Sequence, residues 1–208
     1  ATRIMLGEQI KDLNPWSMRK HGYVSVKEAV LPFNRFPGVD ILLGPEMRST
    51  GEVMGVDQNM GLAFMKSQLA AGQRLPDKGT VFISVNDTDK VSVLYPARIF
   101  KELGFHILAT KGTAAFLEKN NIESEVVNKV YEGRPNPIDL IKNQDIDLVI
   151  NTYTGKKNAL DSSSLRRATL FYNIPYTTTI AGARAMAQAI RELRGKGLDV
   201  CSLQEYYR

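Results

Sequence analysis

Phe105-His-Ile-Leu-Ala-Thr-Lys-Gly-Thr-Ala114 is the stretch that decides the fold. Phe105 to Ala109 reads as a strand, and Thr110-Lys-Gly-Thr113 as a strand-to-helix turn leading into a helix over 114–119. Working outward, the same unit recurs. Val81-Phe-Ile-Ser-Val85 is a strand, and Val91 to Leu103 a helix closed by Gly104 in the C′ position. Val126-Val127 sits in a short strand before a helix over 138–143. Leu148-Val-Ile150 is a buried strand before a helix over 162–172, and Tyr176-Thr-Thr178 a strand before a helix over 181–193. Strand and helix alternate five times, which argues for an α/β unit: a parallel sheet with helices on both faces. Pro96 conflicts with this reading, because a proline inside a helix costs about 3 kcal/mol. The first helix is therefore expected to begin near Tyr95 or to be kinked.

Upstream, residues 1–72 have another texture. Ile4 to Leu13 reads as a short helix and Tyr23-Val-Ser-Val26 as a strand. A Pro- and Gly-punctuated stretch runs from Leu31 to Gly51, and a helix over 59–71 should bury Leu62, Met65 and Leu69. So few elements with so much loop make no convincing core. They read as the remnant of a larger domain whose beginning is missing. Residues 73–80, Gln-Arg-Leu-Pro-Asp-Lys-Gly-Thr, form the expected linker to a second domain over 81–208.

Composition narrows the function classes. The 208 residues are 43% hydrophobic and 24% charged, as in soluble globular proteins. No apolar run approaches the roughly 20 residues of a membrane helix, and the first residues lack the basic-then-apolar pattern of a signal peptide. Cys201 is the only cysteine, which suits a reducing, cytoplasmic setting. The net charge of +5 is spread out, and the longest basic runs are pairs such as Lys156-Lys157 and Arg166-Arg167. Neither a nucleic-acid partner nor a membrane is expected.

Ligands of open parallel sheets bind beyond the carboxyl ends of the strands. Here those ends lead into Asn86-Asp-Thr-Asp-Lys90, Thr110-Lys-Gly-Thr113, Asn128-Lys129, Asn151-Thr-Tyr-Thr-Gly-Lys-Lys157 and Thr178-Thr179. Thr110 and Thr113 flank Gly112 where a turn offers backbone N–H groups, two hydroxyls and the positive end of a helix. Lys90 and Lys129 could add full positive charge, giving what a phosphate needs. The same residues fit ordinary helix caps and solvated lysines equally well. Other chemistry is scarce. His106, within a strand, reads as packed or at an edge, and Cys201 as a small packed residue. No Cys or His pair has metal-ligand spacing, and there is no Gly-x-Ser-x-Gly or P-loop.

Longer motifs go further. Tyr23-Val-Ser-Val-Lys-Glu-Ala-Val-Leu-Pro-Phe-Asn-Arg-Phe-Pro-Gly-Val-Asp40 and Leu42-Leu-Gly-Pro-Glu-Met-Arg-Ser-Thr-Gly-Glu-Val-Met-Gly55 closely resemble the end of the second ATP-grasp domain of carbamoyl phosphate synthetase. Ala109-Thr-Lys-Gly-Thr-Ala114, Val127-Asn-Lys-Val130, Glu132-Gly-Arg-Pro135, Ile150-Asn-Thr152 and Tyr176-Thr-Thr-Thr179 resemble the methylglyoxal-synthase-like allosteric domain of the same large subunit.

The resemblance implies the following. The family is a ligase that makes carbamoyl phosphate from glutamine, bicarbonate and two ATP for pyrimidines and arginine. The intact enzyme needs ATP, Mg or Mn, and K, and pairs with a small glutaminase subunit in an oligomer of heterodimers. The catalytic lysine, glycine loop and metal carboxylates precede the region present here, so the fragment holds no catalytic residue, metal or cofactor and should be inactive alone. The allosteric domain of bacterial forms binds UMP or IMP, a role that falls here on Lys90, Thr110, Gly112, Thr113, Lys129, Asn151 and Thr152. Forms that sense acetylglutamate carry an aromatic residue at the Lys129 position, so the lysine favours a phosphate-bearing effector. Tyr153 departs from the small hydroxyl residue of the bacterial pattern. Ornithine, the other effector, implies Glu28 and Leu43 on the synthetic side, with Tyr176 and Thr178 on the regulatory side. On residue type alone, Glu28 is a solvated residue following a strand.

Two other functions share this sequence pattern. A methylglyoxal-synthase-type lyase has the same Thr-x-Gly-Thr turn but needs a Gly-Pro-x-Gly-Gly-Asp loop after the fourth strand. Here no carboxylate follows until Asp161. The third reading is an oligomerisation module.

Overall fold

The computed structural model describes residues 2–13, 22–30, 51–153 and 156–207, except the side chains of 156–161, 203 and 207. Most of the stretch read as a Pro- and Gly-punctuated loop, with Leu43, lies outside them.

The amino-terminal region is a ribbon with a helix on one face. Strands β1 (Val24–Ala29) and β2 (Glu52–Asp57) pair antiparallel, with Val24 opposite Asp57 and Ala29 opposite Glu52. β1 turns Val24, Val26 and Glu28 inward and Ser25, Lys27 and Ala29 outward. Helix α2 (Met60–Ala70) lies on the ribbon. It starts where the Asn59 side chain accepts the N–H groups of Gly61 and Leu62, at 2.7 and 3.2 Å. The fit is backbone on backbone. A Cβ at Gly55 would collide with the Ala63 carbonyl and the Ser67 amide nitrogen. α2 buries Leu62 and Met65 as expected, but Leu69 is 39% exposed. The single helix expected over Ile4–Leu13 is instead α1 (Thr2–Met5) and a 3₁₀ turn at Ile10–Leu13. Gly7 between them has φ +96°, which ends helical geometry.

The rest is a five-stranded parallel sheet. Strands β3 (Thr80–Ser84), β4 (His106–Thr110), β5 (Glu125–Val127), β6 (Leu148–Asn151) and β7 (Tyr176–Thr177) lie in the order β5-β4-β3-β6-β7. Helices α3 (Lys90–Glu102), α4 (Lys111–Lys119), α5 (Pro137–Lys142), α6 (Lys156–Phe171) and α7 (Ile180–Lys196) connect and flank them. Alternate strand residues feed two cores. Val81, Ile83, Ala109, Leu148 and Ile150 pack with Val93 and Phe100 of α3 and with Ala187 and Ile190 of α7. Phe82, Leu108 and Val149 pack on the opposite face with Ile141 of α5 and Leu165 of α6. Both faces are therefore covered, as the unbroken apolar strands require.

Met65 of α2 and Leu75 of the expected linker belong to the first of these cores. α2 also packs closely against α7, where a Cβ at Gly61 would lie 3.2 Å from the Gln188 carbonyl oxygen.

Several boundaries differ from the sequence reading. α3 runs unbroken from Lys90, with Pro96 buried inside it, so the helix does not begin at Tyr95. Packing of its inner face outweighs the lost hydrogen bond. α6 starts six residues before Ser162. Cys201 is exposed rather than packed.

Two fastenings hold the periphery. The Arg194 guanidinium donates to the carbonyls of Leu103 and Asp77 and lies over the Phe105 ring at 5.8 Å. Nearby, the Thr80 N–H donates to the Asp147 carboxylate at 2.7 Å. All these groups sit at the amino-terminal ends of β3, β4 and β6. At the end of the chain, Tyr206 returns to the ribbon: its hydroxyl donates to the Val56 carbonyl at 2.9 Å, and its ring meets Tyr23 edge-on at 5.2 Å.

Candidate functional site

The strand order reverses at β3, which has β4 on one side and β6 on the other. Such a switch point opens a crevice at the carboxyl ends of the strands. A cavity of about 420 Å³ occupies it. All seven residues expected to hold a nucleotide line this cavity: Lys90, Thr110, Gly112, Thr113, Lys129, Asn151 and Thr152. β4 supplies Thr110 and the turn after it, β6 supplies Asn151 and leads into Thr152, and the loop after β5 supplies Lys129.

The hydroxyls form an ordered chain. Thr110 donates to Thr113 at 3.3 Å, and Ser84 contacts Thr110 at 3.3 Å. Thr113 also accepts the Val85 N–H at 3.3 Å. One of the two expected hydroxyl donors is thus engaged internally, and the proton of Thr113 is the one left to present. Thr110 occupies the N-cap position of α4 but makes no side-chain capping bond. The ordinary-cap reading therefore does not hold there. It does hold at Thr179, whose hydroxyl accepts the Gly182 N–H at 3.0 Å. Uncapped first-turn N–H groups together with the helix dipole favour an anion.

Asn151 is 6% exposed, and its Nδ2 has no hydrogen-bond partner among the described residues. A buried amide left so costs about 1–3 kcal/mol, which a ligand acceptor could offset. Lys129 is exposed, with its ammonium 5.8 Å from the centre of the Tyr131 ring. Tyr153 also lines the cavity and carries the Arg166 guanidinium over its ring at 5.1 Å.

Residue-type reasoning missed Asn86. Its backbone N–H and its side-chain amide both donate to the Thr152 hydroxyl, at 3.2 and 3.1 Å. Its amide also donates to Asp89 at 2.7 Å, and its side-chain oxygen accepts from Thr88 at 2.6 Å. Asn86 thus fixes the 3₁₀ turn Asp87–Asp89, which delivers Lys90 to the cavity. The visible signal was an Asn immediately after a strand, with Asp three residues later.

A second cavity, of about 430 Å³, lies between the ribbon and the sheet. Glu28, Tyr176 and Thr178 line it together, while Leu43 is outside the described residues. Glu28 is not a solvated residue beyond a strand. It stands inside β1, half-buried, and accepts from the Ser67 hydroxyl at 3.2 Å and from the Gln68 amide. Burial pushes its carboxyl above the usual range, although both hydrogen bonds pull the other way.

His106 lies on β4, exposed and 3.0 Å from Glu125 of the edge strand. Among the described residues no cluster of His, Cys, Asp and Glu could hold a metal, and no helix is long and apolar enough to cross a membrane.

A parallel sheet with an anion-fitting crevice at its switch point defines a class: residues 92–178 match the family model described as the MGS-like domain. The particular family is equally plain, for the chain is related over its whole length to the carbamoyl phosphate synthase large chains. It is 52% identical over 212 residues to that of Mesorhizobium japonicum, which aligns 100% of this chain with 18% of that one. With that of Nostoc sp. it shares 50% over 206 residues, 99% of this chain and 19% of the relative. The carbamoyl phosphate synthase large chain, C-terminal section, of Aquifex aeolicus is 45% identical over 228 residues, 100% of this chain and 42% of that one. The chain thus spans about a fifth of the full-length relatives it matches. Among solved structures, a methylglyoxal synthase from Elizabethkingia anophelis aligns with 54% of this chain and 79% of its own, at 19% identity and TM-score 0.42.

Proposed function

We propose that this chain is the effector-binding part of a carbamoyl phosphate synthase large chain, and that a nucleoside monophosphate, UMP or IMP, occupies the switch-point cavity. The observation that carries the reading is the convergence of Lys90, Thr110, Gly112, Thr113, Lys129, Asn151 and Thr152 on one cavity. The start of α4, with no side-chain cap from Thr110, and the Asn151 Nδ2, unpartnered among the described residues, add to it. In this reading the phosphate takes the N–H groups at Gly112 and Thr113 and the charge of the two lysines. Tyr131 and Tyr153 offer aromatic surface to a base.

The second cavity suits ornithine. Glu28 would take an amino group, and the Tyr176 phenol and Thr178 hydroxyl would take polar ends. Residues 1–72 are then the end of an ATP-grasp synthetic domain, and the piece alone has no activity. The intact cytoplasmic enzyme would use ATP, Mg or Mn, and K, and would bind its small glutaminase subunit in a larger oligomer. Either effector must act by binding two states of the enzyme unequally.

Calorimetric titration with UMP and IMP, with dihydroxyacetone phosphate and ornithine for comparison, tests the reading. Saturable binding of a nucleotide is expected, and Lys129→Ala should weaken it by about 1–3 kcal/mol, the range for a hydrogen bond to a charged group. Absence of binding by both nucleotides would remove the reading, and unchanged affinity in Lys129→Ala would remove that lysine. Methylglyoxal formation from the triose phosphate would replace it with the lyase.

A further inference from the structure

Lys90 does not face the cavity as a lone cation. Its ammonium is 2.7 Å from the Asp87 carboxylate, in a pair whose lysine side chain is 23% exposed and whose aspartate is 92% exposed. The same ammonium lies over the start of α4, for a Cβ at Gly112 would stand 3.7 Å from it. The aspartate therefore occupies the charge at the point where a phosphate on α4 would need it. Its placement is built, because Asn86 caps the 3₁₀ turn that carries Asp87: its side-chain oxygen accepts from the Thr88 hydroxyl and the Asp89 N–H, and its amide anchors to Thr152.

We infer that the Asp87 carboxylate is the resident anion of the cavity, which an incoming phosphate must displace from Lys90. The inference rests on the effector reading of this cavity. Asp87 also senses the second lysine: its carboxyl is held below the usual range first by the hydrogen bond from Lys90, then by the charges of Lys90 and Lys129. Displacement is then an exchange of anions, and its gain depends on charge. A ligand carboxylate replaces one negative charge with one and gains nothing at Lys90. A phosphate monoester near neutral pH carries about −1.5 to −2 and does gain. Asp87 is in this sense a specificity-determining residue that favours phosphates over singly charged anions.

UMP and IMP affinities of the full chain should be compared with those of Asp87→Asn and of Glu132→Gln. Glu132 is also an exposed carboxylate beside the cavity, but it accepts the backbone N–H of Lys129 at 2.9 Å rather than an ammonium. Asp87→Asn should tighten nucleotide binding roughly two- to fivefold, the worth of an exposed ion pair, and Glu132→Gln clearly less. Unchanged or weaker binding in Asp87→Asn overturns the inference. An equal or larger gain in Glu132→Gln also overturns it, since the effect would then be the general field of nearby carboxylates. Absence of nucleotide binding in all three proteins overturns the effector reading itself.

Discussion

The five-stranded sheet buries both of its faces, whereas the β1–β2 ribbon buries one, against α2. That difference governs how each region is held and how readily each is read. A two-stranded ribbon is marginal in water by itself. This one leans on α2, whose Met65 enters the sheet's core and whose Gly61 lets α7 come close. Stability flows from the sheet outward, and among the described residues the ribbon receives it chiefly through α2, with Tyr206 as a lesser tie.

The largest test of this asymmetry is a matched truncation. Ile150→Ala, at a fully buried site in β6, should cost about 2–5 kcal/mol. Met54→Ala, 56% exposed on the ribbon, should stay within about 0.5 kcal/mol. Comparable losses in denaturant unfolding would mean that the ribbon is as tightly built as the sheet. Gly55→Ala sharpens the contrast at the seam. Its Cβ meets backbone that cannot rotate away, so α2 must lift, at about 1–3 kcal/mol. Hydrogen exchange should rise in the ribbon and α2 and stay unchanged in β3 and β6. A uniform rise would show one cooperative unit.

The smallest effect is set by pH. Burial raises the Glu28 carboxyl in the folded state, so the native protein holds that proton more tightly than the unfolded chain. The resulting stability is full below the unfolded value and disappears as pH rises through the folded one. Glu28→Gln should therefore gain Tm relative to the parent as pH rises above the ordinary glutamate value of about 4. A difference in Tm that stays flat with pH would show that Glu28 titrates normally.

Legibility followed the same divide. Leu148-Val-Ile150 could be read as a strand because a sheet covered on both faces needs unbroken apolar runs. β1 was harder. Its inner row ends in Glu28, a carboxylate where the alternation calls for an apolar residue, and only the Ser67 and Gln68 hydrogen bonds make it fit. The first turns of α6, Lys-Lys-Asn-Ala-Leu-Asp161, lack an apolar stripe, so the sequence pattern starts the helix only at Ser162. Pro96 misled because packing overrode propensity. At the switch-point cavity the strand-end positions were legible from topology alone. The part played by Asn86 was not, because its bonds to Thr152 join residues far apart in the chain.

Arg194 gives the sheet a spine. By joining the loops before β3 and β4, and with Asp147 tying β6 to β3, it binds the strands along their starting edge like the pages of a book. The binding stands at the edge opposite the switch-point cavity, whose lining comes from the finishing ends of the strands. The groups that register the strands and the groups that could meet a ligand are thus separate sets, and either can be altered without touching the other.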